Sequence, residues 1–340
     1  TTALAGLSGA ALAAITDSLS DVQKTAVTEI DIAKEITTTD AKALTSTDID
    51  AYSPAKVSAL SPDAVASLTA AAVGSLDAAQ VAAITTTQAA AITATQVDAL
   101  SATQIAAITP STLAALSPDA VKSLDTAQVA AITATQAGAI TAGQVDSLST
   151  TQLAAITPAA LAGLSAAAIG SLDVTQTAAI TATQVDALTT TQLAAITPTA
   201  LAGLSAAAIG SLDAAQVSAL TVAQLDALSP EQIKLLSPTA LAGLSAEGLE
   251  AIKGDLSAAQ TTALEEVVAA KAITTTEAAA LTAGDVNALT PTTVSALSPD
   301  AVASLTPAAV GSLDAAQVAA ITTAQAAAIT ATQVDALSAT

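Results

Sequence analysis

The chain is predicted to be an all-α solenoid: a superhelix of very short two-turn helices, one per eight-residue repeat. Three observations predict it. An eight-residue unit recurs without a gap from residue 37 to residue 252, as in TATQVDAL at 93 to 100 and TPAALAGL at 157 to 164. All 11 prolines (54, 62, 110, 118, 158, 198, 230, 238, 291, 299 and 307) stand second in their unit, directly after Ser or Thr. The apolar fraction is 52%, yet Phe, Trp, Met and Cys are absent and there is one Tyr, so burial falls to Ala, Leu, Ile and Val packed closely together.

The period itself excludes one continuous helix. Eight residues advance about 800°, so an apolar stripe would rotate by roughly 80° per unit and no single partner could bury it. Proline sharpens the point, since it suits the first helical position and costs about 3 kcal/mol in a helix interior. Each unit therefore starts a new helix.

The other positions agree with that register. Position 1 is Ser, Thr or Asp and reads as the N-cap; position 4, most often Gln, is then the third helical residue. In TATQVDAL this makes a capping box of Thr93 with Gln96. Position 8 is Leu or Ile, with Tyr52 the exception, and position 5 is mostly Val, Ile or Leu. The two form a hydrophobic staple across each boundary, here Ile92 with Val97. Asp77, Asp125, Asp173, Asp213 and Asp314 are expected N-caps, and Asp63, Asp119 and Asp300 sit in first turns where the helix dipole favours them. Glycines at position 6 (74, 170, 210, 311) or position 7 (163, 203, 243) are expected at close helix crossings or helix ends.

Helices of about 10 Å cannot persist alone and must be held by stacked neighbours. Aspartate-capped units start at 77, 125, 173 and 213, and units like TPSTLAAL start at 109, 157, 197 and 237. Both series step by five or six octads, which, taken as the coil period, predicts about five to six helices per superhelical turn. The alternative is a β-solenoid with three octads per coil. Val, Ile and Thr favour it, whereas the alanine content, the Gln at the third helical position and the proline register oppose it.

A longer repeat overlies the octad. VSALSPDAVASL at 57 to 68 recurs at 294 to 305. The expected organisation is the end of a preceding octad array at 1–15, an irregular charged segment at 16–36, an array of 27 octads at 37–252, a second irregular segment at 253–273 that copies 16–36, and the start of the next array at 274–340, copying 37–103. The first residue is Thr, no basic leader precedes the apolar text, and the expectation is a piece of something longer.

Chemistry is scarce. The net charge of -21 opposes nucleic acid and anionic membrane surfaces, and no uncharged run is apolar enough to predict membrane insertion. With no His, and with Lys24, Lys34, Lys42, Lys56, Lys122, Lys234, Lys253 and Lys271 as the only bases besides carboxylates, no catalytic site is expected. Neither Asp40, Asp48 and Asp50 nor Asp17 with Asp21 follows a calcium-loop spacing, so no metal site and no cofactor are expected either. Tyr52 is read as filling the position-8 slot.

An open-ended, degenerate repeat of small residues resembles the very large repetitive surface proteins of Gram-negative bacteria. The resemblance implies a non-enzymatic, secreted structural protein of the cell exterior: an adhesin stalk, or a subunit of an extracellular filament or surface layer whose partners are copies of itself or a cell-surface anchor. Two other classes are weighed. Threonines at positions 1 and 3 raise ice binding, and an α-solenoid can bind peptides in a groove, though such grooves usually carry aromatic or charged anchors.

Overall fold

Local signals start a helix at every octad, and the computed structural model, which describes residues 19–337, shows each start in place. Residues 1–15, read above as the end of an array, and Asp17 lie outside the described residues. Among those described there are 37 α-helices and no strand, so the fold is an all-α solenoid of short helices. Two helices have 15 residues, and the others have four to seven.

The cap geometry follows the sequence register. Thr93 is extended at φ -82°, ψ 158°, its hydroxyl accepts from the Gln96 N–H, and the Gln96 Oε1 accepts from the Thr93 N–H at 2.9 Å. The five position-1 aspartates make the same box with Gln80, Gln128, Gln176, Gln216 and Gln317. Every helix that begins at proline carries that proline in its first turn, as at Pro110 and Pro158. Position 8 is often extended as well, as at Leu116 and Ile156, so the chain turns between helices over two residues. No residue described has positive φ, so these turns use no left-handed glycine.

The chain divides into residues 1–208 and residues 209–340, and each unit is a coil of the same kind. In the first, Pro158–Gly163 packs on Ala134–Ala137 and on Ala182–Ala187, the third helix in either direction. In the second, Ala214–Ser218 packs on Pro238–Leu241, and Thr275–Ala280 on Pro299–Ser304, again three helices apart. Side chains reach one octad further, to the fourth unit back. A turn therefore holds between three and four octads, which corrects the expected five to six. The longer steps record where like units recur along the chain. Stacking joins each unit to the third and fourth beyond it, a reach fixed by helix length and side-chain size.

The contact made to the fourth unit is specific. The Gln96 Nε2 donates to the carbonyls of Val65 at 2.7 Å and Leu68 at 2.9 Å, and the Gln136 Nε2 donates to those of Ile105 and Ile108. Gln144, Gln184, Gln325 and Gln333 repeat the pattern at the same offsets of 31 and 28 residues. These amides are almost fully buried, at 1 to 2% exposure for most. Thr112 makes the shorter version, one bond to the Ile84 carbonyl. No buried side-chain polar atom among the described residues lacks a partner.

Positions 5 and 8 fill the axis. Val65, Leu68, Val73 and Leu76 meet Ile84 and Ile92 around a void of about 10 Å³, at most the room of one water. Glycine permits the closest crossings. A Cβ on Gly163 would stand 2.5 Å from the Ala134 carbonyl oxygen, and one on Gly170 2.7 Å from that of Ala195. These contacts, and not backbone freedom, require glycine.

Each segment expected to break the octad rule holds one helix of fifteen residues. Ala258–Ala272 begins with the capping box of Ser257 and Gln260 but does not stop after Leu264, because Glu265 stands where a cap would restart the chain. In Asp21–Glu35 a threonine does stand there, but the Thr28 hydroxyl bonds back to the Lys24 carbonyl inside the helix. Before the second long helix, Lys253–Asp255 is a single 3₁₀ turn. Gln260 accordingly bonds Ile233 and Leu236 at offsets of 27 and 24 residues.

Two substitutions test this packing. Gln144→Ala removes the side-chain donor from two buried carbonyls, leaving that of Leu116 unpaired while Leu113 keeps the Leu116 N–H, and is expected to cost about 2 kcal/mol. Gln144→Glu, placing a carboxylate against the same carbonyls, is expected to cost more; denaturant unfolding followed by circular dichroism measures both. By the same assay Gly163→Ala should cost about 1–3 kcal/mol through overpacking. Gly143→Ala, with nothing within 4 Å of the new methyl, should be neutral or stabilising by up to about 1 kcal/mol.

Candidate functional site

With the axis filled, any site lies on the outside, and two sizeable concavities flank the long helices. One groove, about 410 Å³, runs between Val22, Ala26 and Glu29 of the first long helix and Ser53 and Pro54 of a later octad. Another, about 380 Å³, lies between Glu266, Ala270 and Ile273 of the second and Leu289, Thr290 and Thr293. They share one polar contact, repeated at the spacing of the long repeat. The Ser53 hydroxyl donates to the Glu29 carboxylate at 2.5 Å, and the Thr290 hydroxyl donates to that of Glu266 at 3.4 Å. Sequence reasoning missed these glutamates; the signal available was that both copies keep Glu at that place while the text around it drifts.

Chemically the pair is a cross-brace. Ser53 Oγ also accepts from the Lys56 N–H as a helix cap, so its hydroxyl is engaged on both sides. The lysines weighed above as bases are likewise occupied where their contacts are resolved. Lys253 pairs with Glu250 at 3.3 Å on the surface, Lys271 donates to the Ala242 carbonyl at 3.0 Å, and the Lys56 ammonium lies 3.6 Å from the centre of the Tyr52 ring. Tyr52 is half-buried, and burial, helped by the Asp48 charge, raises its hydroxyl pKa. It thus fills the position-8 slot only in part and spends its face on a cation.

The acidic candidates are separated. Among the described residues no three acidic side chains converge as a metal would need. Asp40 and Asp48 each close a capping box, on Thr37 and Thr45, with Glu277 and Asp285 doing the same on Thr274 and Thr282. These four are the carboxylates that take the place of glutamine, and all four boxes are exposed. A carboxylate can cap its own helix but has no proton to donate to another coil. Gln at position 4 can thus tie its helix to another coil, and an acid there cannot.

Position-3 threonines such as Thr87, Thr95 and Thr103 are exposed. Followed three or four units along, these rows soon end at Asp or Ala, as Thr151, Thr175 and Thr199 end at Ala223. No helix among the described residues is long and apolar enough to cross a membrane.

Hydrogen bonds from the threonine side chains and amides hold the Asp40, Asp48, Glu277 and Asp285 carboxyls below their ordinary pKa values. A carboxyl depressed on folding stabilises above its unfolded pKa and loses that stabilisation as pH falls through the folded value. Side-chain NMR titration should therefore find all four titrating below free Asp or Glu. Thr45→Val should return Asp48 towards its ordinary value and leave Asp40 unmoved. The chain matches no protein-family model, no curated protein and no solved structure.

Proposed function

We propose that this is a non-enzymatic structural protein of the cell exterior whose octads build length, either as the self-assembling subunit of an extracellular filament or surface layer or as an adhesin stalk. One observation carries the reading. Where octads run on from residue 77, the same buried amide contacts recur over a filled axis, as from Gln80 to Gln152, so adding octads adds length without adding a cavity or a reactive group.

The acidity of the chain and its lack of cysteine suit an exposed surface outside the cell, and the small exterior residues suit lateral packing against copies of the same chain. Contacts of that kind that do not close on themselves give fibres.

Electron cryomicroscopy of the native material, with circular dichroism on the same sample, tests the proposal. Helical spectra with long uniform filaments or sheets are expected for a polymer subunit, and isolated helical rods for a stalk. Compact particles that neither extend nor associate would overturn it.

A further inference from the structure

Glutamine contacts between coils are missing wherever a long helix has just passed. In the five units that follow the first long helix, position 4 reads Asp40, Asp48, Lys56, Ala64 and Ala72; after the second it reads Glu277, Asp285, Thr293, Ala301 and Ala309. Amide contacts resume at Gln80, on the Ile49 and Tyr52 carbonyls, and at Gln317, on those of Val286 and Leu289. Between residues 77 and 252 no more than two successive units lack glutamine. With three to four units per turn, every turn there keeps at least one such residue, whereas five successive units exceed a full turn. After each long helix, therefore, more than a full turn of units lacks the amide that elsewhere ties one coil to another.

Packing at the same place is looser. Leu281 and Leu289 are only half-buried, as are Leu44 and Tyr52 in the first copy, whereas the position-8 residues from Leu60 to Leu236 are all buried. A groove of about 340 Å³ separates Ala214 and Thr239 from Ser295 and Thr322. The exposed Lys271 ammonium bridges to the Ala242 carbonyl near that groove, a solvated contact where elsewhere a buried amide would stand.

We propose that each long helix, with the five octads that follow it, is a yielding joint: the coil-to-coil interface at 37–76 and at 274–313 opens while the glutamine-tied array stays closed. The joint recurs once in every long repeat, which is thus a unit of mechanical give as well as of length. This inference rests on packing and hydrogen bonding alone and holds whether or not the chain polymerises.

Hydrogen–deuterium exchange of the full chain, read peptide by peptide, tests it. Amides in 37–76 and in 274–313 are expected to exchange about tenfold or more faster than those in 125–164, where Gln128, Gln136, Gln144 and Gln152 stand in succession. Equal protection in the three intervals overturns the proposal. A second measurement addresses the cause. In a variant carrying Gln136→Ala, Gln144→Ala and Gln152→Ala, exchange in 125–164 should approach that of the joints while the joints keep their rate. If protection instead falls equally along the whole chain, the arrays and joints open as one body and no separate joint exists.

Discussion

Buried at position 4, the glutamine side chain faces two ways. Its oxygen accepts from the N–H of its own cap residue, closing the helix start, and its nitrogen donates to two carbonyls at the end of a helix one coil away. The position-5 carbonyl already accepts from the position-8 N–H, as Val65 does from Leu68, whereas the position-8 carbonyl is one that so short a helix leaves unpaired. One amide therefore satisfies an orphan donor at the beginning of one helix and an orphan acceptor at the end of another. Helices this short exist because their unsatisfied ends are placed against each other.

Hydrophobic burial and close approach complete the coil. Positions 5 and 8 supply Val, Leu and Ile to the axis, and a buried side chain of this kind contributes about 1.5–3 kcal/mol. A nucleation cost is incurred at every octad, so neither burial nor capping would suffice alone. Where position 4 is alanine, glycine at position 6 or 7 often brings backbones together, as at Gly163 and Gly170. Coils are thus tied by an amide in many units and brought closer by the absence of a Cβ in others.

The two long helices interrupt this pattern without leaving the α-fold. Loss of one cap signal, at Glu265, lets a helix continue for 15 residues, and the coil that follows begins on exposed carboxylates. A start of this kind presents acceptors to solvent and no donors to a coil behind it. Long helix, acidic boxes and half-buried position-8 residues coincide in both copies, which makes the long repeat a structural period as well as a textual one.

Helix starts were legible in the sequence because their signals are local. Thr93 and Gln96, Pro110 after Thr109, and Val97 after Ile92 lie within one or two octads, where geometry is fixed by the chain itself. The apolar interior positions 5 and 8 followed from the same register, whereas burial of the position-4 glutamine did not. The exterior grooves with Glu29 and Glu266 were not legible, nor were the second set of glutamine hydrogen bonds and the partner of each glycine. These depend on which octad lies beside which, three to four units away, and recurrence of like units pointed to a longer step. An eight-residue text specifies where a helix begins and which face is apolar. Only packing in three dimensions, where amide reach and backbone approach must be satisfied together, decided how many such helices close a turn.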